Sequence, residues 1–134
     1  MRNRILSFFA FLAIFSLTFA LASEIQLSED ETTVIMDEFE AMTKGIDAVG
    51  IFVHNAFIAL PMFIPGFGIV WGMFAAFSTG IAFSAMKSAI PLLDQIPPLS
   101  ILFMSPFGLM ELAAYSIAMS RSYILIHKLI KKVP

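Results

Sequence analysis

The sequence predicts an all-α integral membrane helical bundle with four transmembrane helices and one outer amphipathic helix. Of its 134 residues, 59% are hydrophobic and 13% are charged, and the mean hydropathy is +0.89. Soluble domains are far more polar. A run of roughly 20 apolar residues crosses the ~30 Å hydrocarbon layer of a bilayer, and such runs cover most of this chain. We therefore treat residues 1–134 as a single membrane domain.

The first apolar run, residues 5–22, follows Arg2 and Arg4 and ends in Ala-Leu-Ala. Basic residues, an apolar core and a small-x-small end are typical of a cleavable signal peptide, whereas a run of about 18 residues is nearly long enough for a retained signal anchor. Both interpretations stay open. Cleavage would leave three transmembrane helices instead of four.

An acidic segment follows, and we expect residues 28–47 to form the amphipathic helix. Ser28 and Glu31 in "SEDE" match a capping box, which predicts a helix start. Apolar residues then recur at spacings of three and four, at Ile35, Phe39, Met42, Ile46 and Val49. Residues 24–47 hold eight acids and one lysine. Interfacial helices usually carry Lys and Arg, so packing on a protein surface is at least as good an interpretation as a position on lipid.

Residues 50–86 contain no charged side chain over 37 positions, about twice the length that one span needs. This run must therefore fold back once. Pro61, Pro65, Gly66 and Gly68 can break a helix or reverse the chain, which predicts transmembrane helices at 48–64 and 67–87. A proline-rich connector follows, and the last transmembrane helix is expected at 101–126.

The charge distribution predicts the topology of a multi-pass protein of the cell membrane. Lys and Arg near the ends of spans stay cytoplasmic. Arg2 and Arg4 lie at the N-terminus, and residues 121–132 hold four bases and no acid. Both termini are therefore expected in the cytoplasm, with the acidic segment 23–47 outside. The chain has no cysteine, which excludes disulfides and thiol catalysis, and nothing in it suggests nucleic-acid binding.

Polar residues inside the predicted spans are the candidate site residues, because polar groups in hydrocarbon usually face a bundle interior. We expect them to make structural contacts between helices. They are His54, Asn55, Ser78, Thr79, Gly80, Ser105, Pro106, Gly108 and Glu111. Counting from the span ends places His54, Asn55 and Ser105 in an outer layer, together with Ser84. The same count places Ser78, Thr79 and Glu111 near the midplane.

Glu111 needs a partner at that depth, since an unpaired carboxylate in hydrocarbon is costly. We expect a hydrogen bond from Ser78 or Thr79 to Glu111, with Gly80 letting the two helices approach. The alternative is a proton or ion relay that uses Glu111 and His54. We expect no catalytic residue, no cofactor and no metal ligands, since no nucleophile, base and orienting group converge at one depth.

Several of these residues recur in a known pattern over about residues 50–120. It consists of Phe52, His54-Asn55 and Ala59, then Gly66, Gly68 and Gly72, then Thr79-Gly80, and finally Pro106, Gly108 and Glu111 in "SPFGLMELAAYSIA". Their order and spacing resemble the stage II sporulation protein M family of small multi-span membrane proteins. Phe107, His54 and Thr79 depart from the family's His, Asn and Asn. The resemblance implies a non-enzymatic, multi-span scaffold.

The functional prediction is accordingly a non-catalytic membrane scaffold or assembly protein whose partners are membrane lipids and other integral membrane protein subunits. One alternative is an accessory structural subunit of a larger membrane enzyme complex of the respiratory or metal-dependent oxygenase type. A second alternative is a small transporter or channel that forms a homo-oligomer around Glu111. Isolation of the native complex would distinguish the first two, and ion flux would identify the third.

Overall fold

The computed structural model describes residues 2–132, with the backbone alone for Arg2, Pro106 and Phe107. The predicted all-helical class is confirmed for this part of the chain, which contains no strand. Its helices are α1 Arg2–Ser23, α2 Glu29–Thr43, α3 Ala48–Ala59, α4 Phe67–Ala89, α5 Pro98–Met104 and α6 Pro106–Lys131. Two 3₁₀ turns, Leu60–Phe63 and Pro91–Gln95, precede α4 and α5.

Two of these helices, over Asn3–Ser23 and Phe67–Ala89, are long and apolar enough to cross a membrane on their own. Two more spans are counted if each bent helix pair is taken as one span. These pairs are Glu29–Thr43 with Ala48–Phe63, bent by 118°, and Pro98–Met104 with Gly108–Lys131, bent by 88°. The described chain therefore holds two to four candidate spans, which is compatible with a membrane protein.

Side-chain caps begin the helices of the acidic region. The predicted capping box of α2 is confirmed: the Ser28 hydroxyl accepts from the Glu31 amide at 3.3 Å, and the Glu31 carboxylate accepts from the Ser28 amide at 2.9 Å. The Ser28 hydroxyl also donates to the Glu31 carboxylate at 2.7 Å. The hydrogen bonds that this carboxylate accepts, first from the Ser28 amide and then from the Ser28 hydroxyl, hold the pKa of Glu31 below its usual value. Asp47 begins α3 by accepting from the Gly50 amide at 2.8 Å.

The chain reverses between α3 and α4 at the predicted breakers. Pro61 lies at the start of the first 3₁₀ turn, and Gly66 has φ +81°, a conformation that glycine adopts without steric cost. Gly68 packs directly against the backbone carbonyl of Met62, where a Cβ would collide. Trp71 in α4 donates its indole N–H to the Ile58 carbonyl at 3.0 Å, which ties the end of α3 to the first turns of α4.

The structural centre is a three-helix core of α1, α4 and α6. The Phe15 and Tyr115 rings lie 5.7 Å apart, as do those of Phe11 and Tyr123, so α6 runs antiparallel to α1. Helix α4 runs parallel to α1. The buried apolar cluster consists of Phe11, Phe15, Met62, Ala75, Ala76, Leu112, Tyr115, Ala118 and Met119, and a second cluster consists of Phe19, Phe83 and Leu102.

Two glycines of α4 permit the close approach of its neighbours, but Gly80 serves a different neighbour from the one expected. A Cβ at Gly80 would lie 2.6 Å from the Phe19 carbonyl oxygen and from the Ala22 Cβ, so this glycine brings α4 to α1 and not to α6. Helix α6 approaches α4 at Gly72 instead, where the Met119 side chain fills the space of the missing Cβ.

The predicted span 101–126 is divided at Ser105 into α5 and α6. Proline disfavours a helical residue before it and lacks an N–H for the preceding turn, so Pro106 begins a new helix. The Ser105 hydroxyl caps that helix by accepting from the Gly108 amide at 2.8 Å. The long helix therefore runs from Pro106 to Lys131, and α5 is bent away from it.

Helices α2 and α3 together form what we call the α2–α3 arm. Neither helix has a single buried residue. The apolar side chains of α2 are half-buried at Ile35, Met36 and Phe39 and exposed at Val34 and Met42. The arm therefore covers the core only partly and keeps most of its own surface open.

Candidate functional site

Glu111 is the one acidic side chain in the three-helix core, among the described residues. It is half-buried on α6. It lies one turn before Tyr115, which faces Phe15, and therefore at the level of Phe19, close to the end of α1. Its expected position near the membrane midplane stays a prediction. Because α6 begins at Pro106, Glu111 lies only five residues into its helix.

The expected hydrogen bond from Ser78 or Thr79 to Glu111 is wrong. The Thr79 hydroxyl donates to the Ala75 carbonyl of its own helix at 2.9 Å, which is the usual local partner for a threonine within a helix. Ser78 is exposed. Helix α4 turns Gly80 towards α1, and neither hydroxyl donates to Glu111 in the described part of the chain.

Tyr115 of α6 is the side chain next to Glu111, and His54 of α3 lies near enough to act on its charge. Helices α3 and α6 are in contact, whereas counting along the helices predicts different layers for His54 and Glu111. Tyr115 is adjacent on the same face of α6 and is also in electrostatic contact with Glu111. Its hydroxyl is fully buried and lies near the Glu111 carboxylate, but it forms no hydrogen bond of standard geometry among the described residues.

The other predicted site residues fall into three groups. His54, Ser78 and Thr79 are exposed, so the expectation that they are buried helix contacts is wrong for these three. Asn55, Ser105 and Gly108 are half-buried, and Gly80 is buried. A Cβ at Gly108 would lie 2.8 Å from the Ile101 and Leu102 carbonyl oxygens, so Gly108 permits the tight α5–α6 corner. The side chain of Pro106 lies outside the described residues.

Two serine hydroxyls, of which the sequence analysis names only Ser84, make long-range connections. Ser122 of α6 donates to the Ile64 carbonyl in the α3–α4 reversal at 2.6 Å. Ser84, which the count had placed in the outer layer, donates to the Ile25 carbonyl just after α1 at 2.5 Å. Ser16 of α1 is buried and, like Tyr115, has no hydrogen-bond partner in the described part of the chain. The spacing of these serines in the sequence does not predict such hydrogen bonds, because serine also packs as a small residue between helices.

A polar cleft opens where α1 and α4 end, and we call this end of the core the acidic end. The cleft has a volume of about 410 Å³ and is lined by Ser23, Glu24, Ile25, Gln26, Ser84, Lys87, Ser88, Pro91 and Asp94. Lys87 donates to Glu24 at 3.1 Å, and its ammonium lies 5.9 Å from the centre of the Phe83 ring. Nine residues from four segments thus converge on one mixed-charge surface.

Among the described side chains, no group of three or more His, Asp or Glu residues could hold a metal ion. Glu111 and His54 form a pair rather than a series of titratable groups across the core. A relay needs further members in line, and Tyr115 is the one candidate beside them.

Comparison of the chain with family models, with curated proteins and with solved structures gives no match.

Proposed function

We propose that this chain is a non-catalytic scaffold or assembly protein of the cell membrane, with four spans, cytoplasmic termini and segment 23–47 outside. The observation that carries this proposal is the α2–α3 arm, in which 15 and 12 residues of α2 and α3 bury no side chain. A helix gains stability by covering an apolar face. An arm that covers so little within its own chain has its surface available for another protein.

The exposed surface of α3 is apolar and bulky. Its exposed side chains include Val49, Ile51, Phe52, Val53 and Phe57. Large apolar surfaces beside polar ones mark interaction sites, and His54 and Asn55 lie within this stretch. In a membrane, helices associate through close packing and polar contacts between them. We therefore infer that α3 packs against a helix of another membrane subunit.

The exposed surface of α2 is acidic and would lie outside the membrane. Its acids include Glu29, Asp30, Asp37, Glu38 and Glu40, all exposed. Opposite charge across an interface speeds association and suppresses wrong partners. A basic loop or domain of the partner suits this face better than anionic lipid does.

The resemblance to the stage II sporulation protein M family supports the same proposal and stays a prediction. Gly66 and Gly68 of the matching pattern lie at the reversal, and Gly72 lies at the α4–α6 contact, as a packing role requires. Its Pro-x-Gly-x-x-Glu stretch coincides with the capped start of α6. These positions serve the geometry of the chain, which agrees with a scaffold better than with an enzyme.

Two alternative functions make different predictions from the scaffold. An accessory subunit of a larger membrane enzyme would use the same arm but would hold one partner permanently. A homo-oligomeric transporter or channel is favoured by a different observation, the proximity of Glu111, the buried Tyr115 hydroxyl and His54. Ion flux in liposomes that is lost in Glu111→Gln would support the channel.

Photocrosslinking in native membranes tests the scaffold proposal. A benzoyl-phenylalanine replaces Phe57 in the arm, which is 70% exposed, or Phe74 on α4, which is 57% exposed and serves as the matched control. We expect discrete protein adducts from position 57 and lipid adducts alone from position 74. Adducts with several different proteins would indicate a scaffold, and adducts with one protein in fixed stoichiometry would indicate a permanent subunit. Lipid adducts from both positions would contradict both interpretations.

A further inference from the structure

The polar cleft at the acidic end holds charges that the chain itself does not fully pair. Glu24 and Asp94 contribute two carboxylates and Lys87 one ammonium. Lys87 is paired with Glu24, whereas Asp94 is exposed and forms no ion pair among the described side chains. A neighbouring open cleft shares Ser88 and adds Glu29 and Asp37. The two clefts together are therefore lined by more acidic than basic side chains.

Lys87 is held in place and still has donors to offer. Its side chain is only 13% exposed, while that of its partner Glu24 is 65% exposed. The stem of the lysine is packed and its ammonium lies near the Phe83 ring. A lysine ammonium carries three N–H donors, and the bond to Glu24 uses one. The others are available to an anion in the cleft.

The position of the cleft restricts the ligand further. It lies where two apolar helices long enough to cross a membrane, α1 and α4, both end, at Ser23 and Ala89. Phospholipid headgroups occupy the layer next to the hydrocarbon. The volume of the cleft, about 410 Å³, falls within the usual range for small-molecule sites.

We propose that this cleft binds a zwitterionic phosphate–ammonium group, supplied by a phospholipid headgroup of the ethanolamine type. The phosphate accepts from the Lys87 ammonium, and the ammonium of the ligand lies between the Glu24 and Asp94 carboxylates. This arrangement alternates the charges and neutralises Asp94, which an anionic headgroup would leave unpaired. The site does not depend on the scaffold function, because it uses α1, α4 and the second 3₁₀ turn rather than the surface of the arm.

Binding of defined lipids to the full purified chain in detergent tests this site. The probes are phosphatidylethanolamine and phosphatidylglycerol with identical acyl chains, measured by native mass spectrometry. We expect about a tenfold preference for the ethanolamine lipid, the effect of one charge-assisted contact. Asp94→Asn should remove the preference, and Asp94→Lys should reverse it in favour of phosphatidylglycerol. Lys87→Gln should weaken binding of both lipids about tenfold.

The controls are Glu40→Gln and Lys44→Gln, two exposed positions on the acidic segment that do not line the cleft, and they should leave binding unchanged. Asp94 is the decisive position, since this exposed turn residue has no ion pair to lose on folding. Equal affinity for the two lipids, unaffected by Asp94→Asn, would overturn the proposal. Competition with free phosphoethanolamine distinguishes a lipid from a soluble ligand. If free phosphoethanolamine displaces the bound lipid only at far higher concentration, the ligand is the lipid. If it binds as tightly as the lipid does, the lipid source is overturned in favour of a soluble zwitterion.

Discussion

The three-helix core and the α2–α3 arm are both apolar, yet they use their apolar residues in opposite ways. In the core, Phe15 and Met119 are almost fully buried and two glycines permit contact between helices. In the arm no residue is buried, and Phe52 and Phe57 are more than two-thirds exposed, at 72% and 70%. Hydrophobicity alone therefore does not identify what a helix packs against. Small residues at the points of contact are the distinguishing feature.

The largest expected difference between the two regions comes from removing one phenylalanine from each. Phe15→Ala should lower the free energy of unfolding by about 3 kcal/mol, because it leaves a cavity between α1 and α6. Phe57→Ala should change it by less than about 0.5 kcal/mol, because no packed neighbour is lost. Unfolding in micelles can be followed by the fluorescence of Trp71, the single tryptophan. Equal losses would show that the arm is packed like the core.

A matched pair of glycine substitutions should give the next largest difference. Gly80→Ala should cost about 2 kcal/mol, since the new Cβ would meet the Phe19 backbone, which cannot turn away as a side chain can. At Gly50 in α3 a Cβ would meet the side chains of Ile46, at 2.6 Å, and of Asp47, at 3.3 Å, but no backbone atom. Side chains can shift, and alanine favours the helix, so we expect Gly50→Ala to cost clearly less than Gly80→Ala. A cost for Gly50→Ala as large as that for Gly80→Ala would show that α3 is closely packed.

The smallest effect concerns the start of the arm and depends on pH. Because hydrogen bonds from Ser28 lower the pKa of Glu31, the carboxylate stabilises the folded helix above the ordinary glutamate pKa of 4.5, and this contribution is lost as the pH falls through the lowered value. The protection factor of the first turn of α2, which is the hydrogen–deuterium exchange rate of an unstructured chain relative to that of this turn at the same pH, should fall on acidification. The same turn in Glu31→Gln should have a lower protection factor already at neutral pH, and this factor should vary less with pH.

The matched control is Glu38→Gln, an exposed acid in the middle of α2 without a capping role. This variant should retain the acid-dependent fall in the protection factor of the first turn of α2. If Glu31→Gln behaved in the same way as Glu38→Gln, the capping box would not stabilise the arm.

Local features of the fold were predictable because their causes lie within a few neighbouring residues. The capping box of α2 needs only Ser28 and Glu31, and the reversal before α4 needs only proline and glycine close together. The break at Ser105 has an equally local cause in Pro106. The uninterrupted hydropathy on both sides of Pro106 nevertheless predicts one continuous span.

The surroundings of Glu111 could not be predicted in the same way. Counting residues gives a level along a helix but not the direction of a side chain around its axis. Helix α4 is apolar on most sides, so its sequence does not show which side faces α1 and which faces α6. The interaction of His54 with Glu111 also required the position of α3 beside α6, which no periodicity encodes.

By itself, the sequence determined that this chain is helical, that it carries apolar runs of membrane-spanning length, and where two of its turns and one helix cap lie. Composition and short motifs are sufficient for these features because backbone hydrogen bonding and chain reversal are local. Only the tertiary structure decided that Gly80 packs against α1, that Glu111 interacts with His54 instead of Thr79, and that Lys87, Glu24 and Asp94 share one cleft. Those outcomes depend on how helices rotate and pack against one another, and residues far apart in the chain determine that packing.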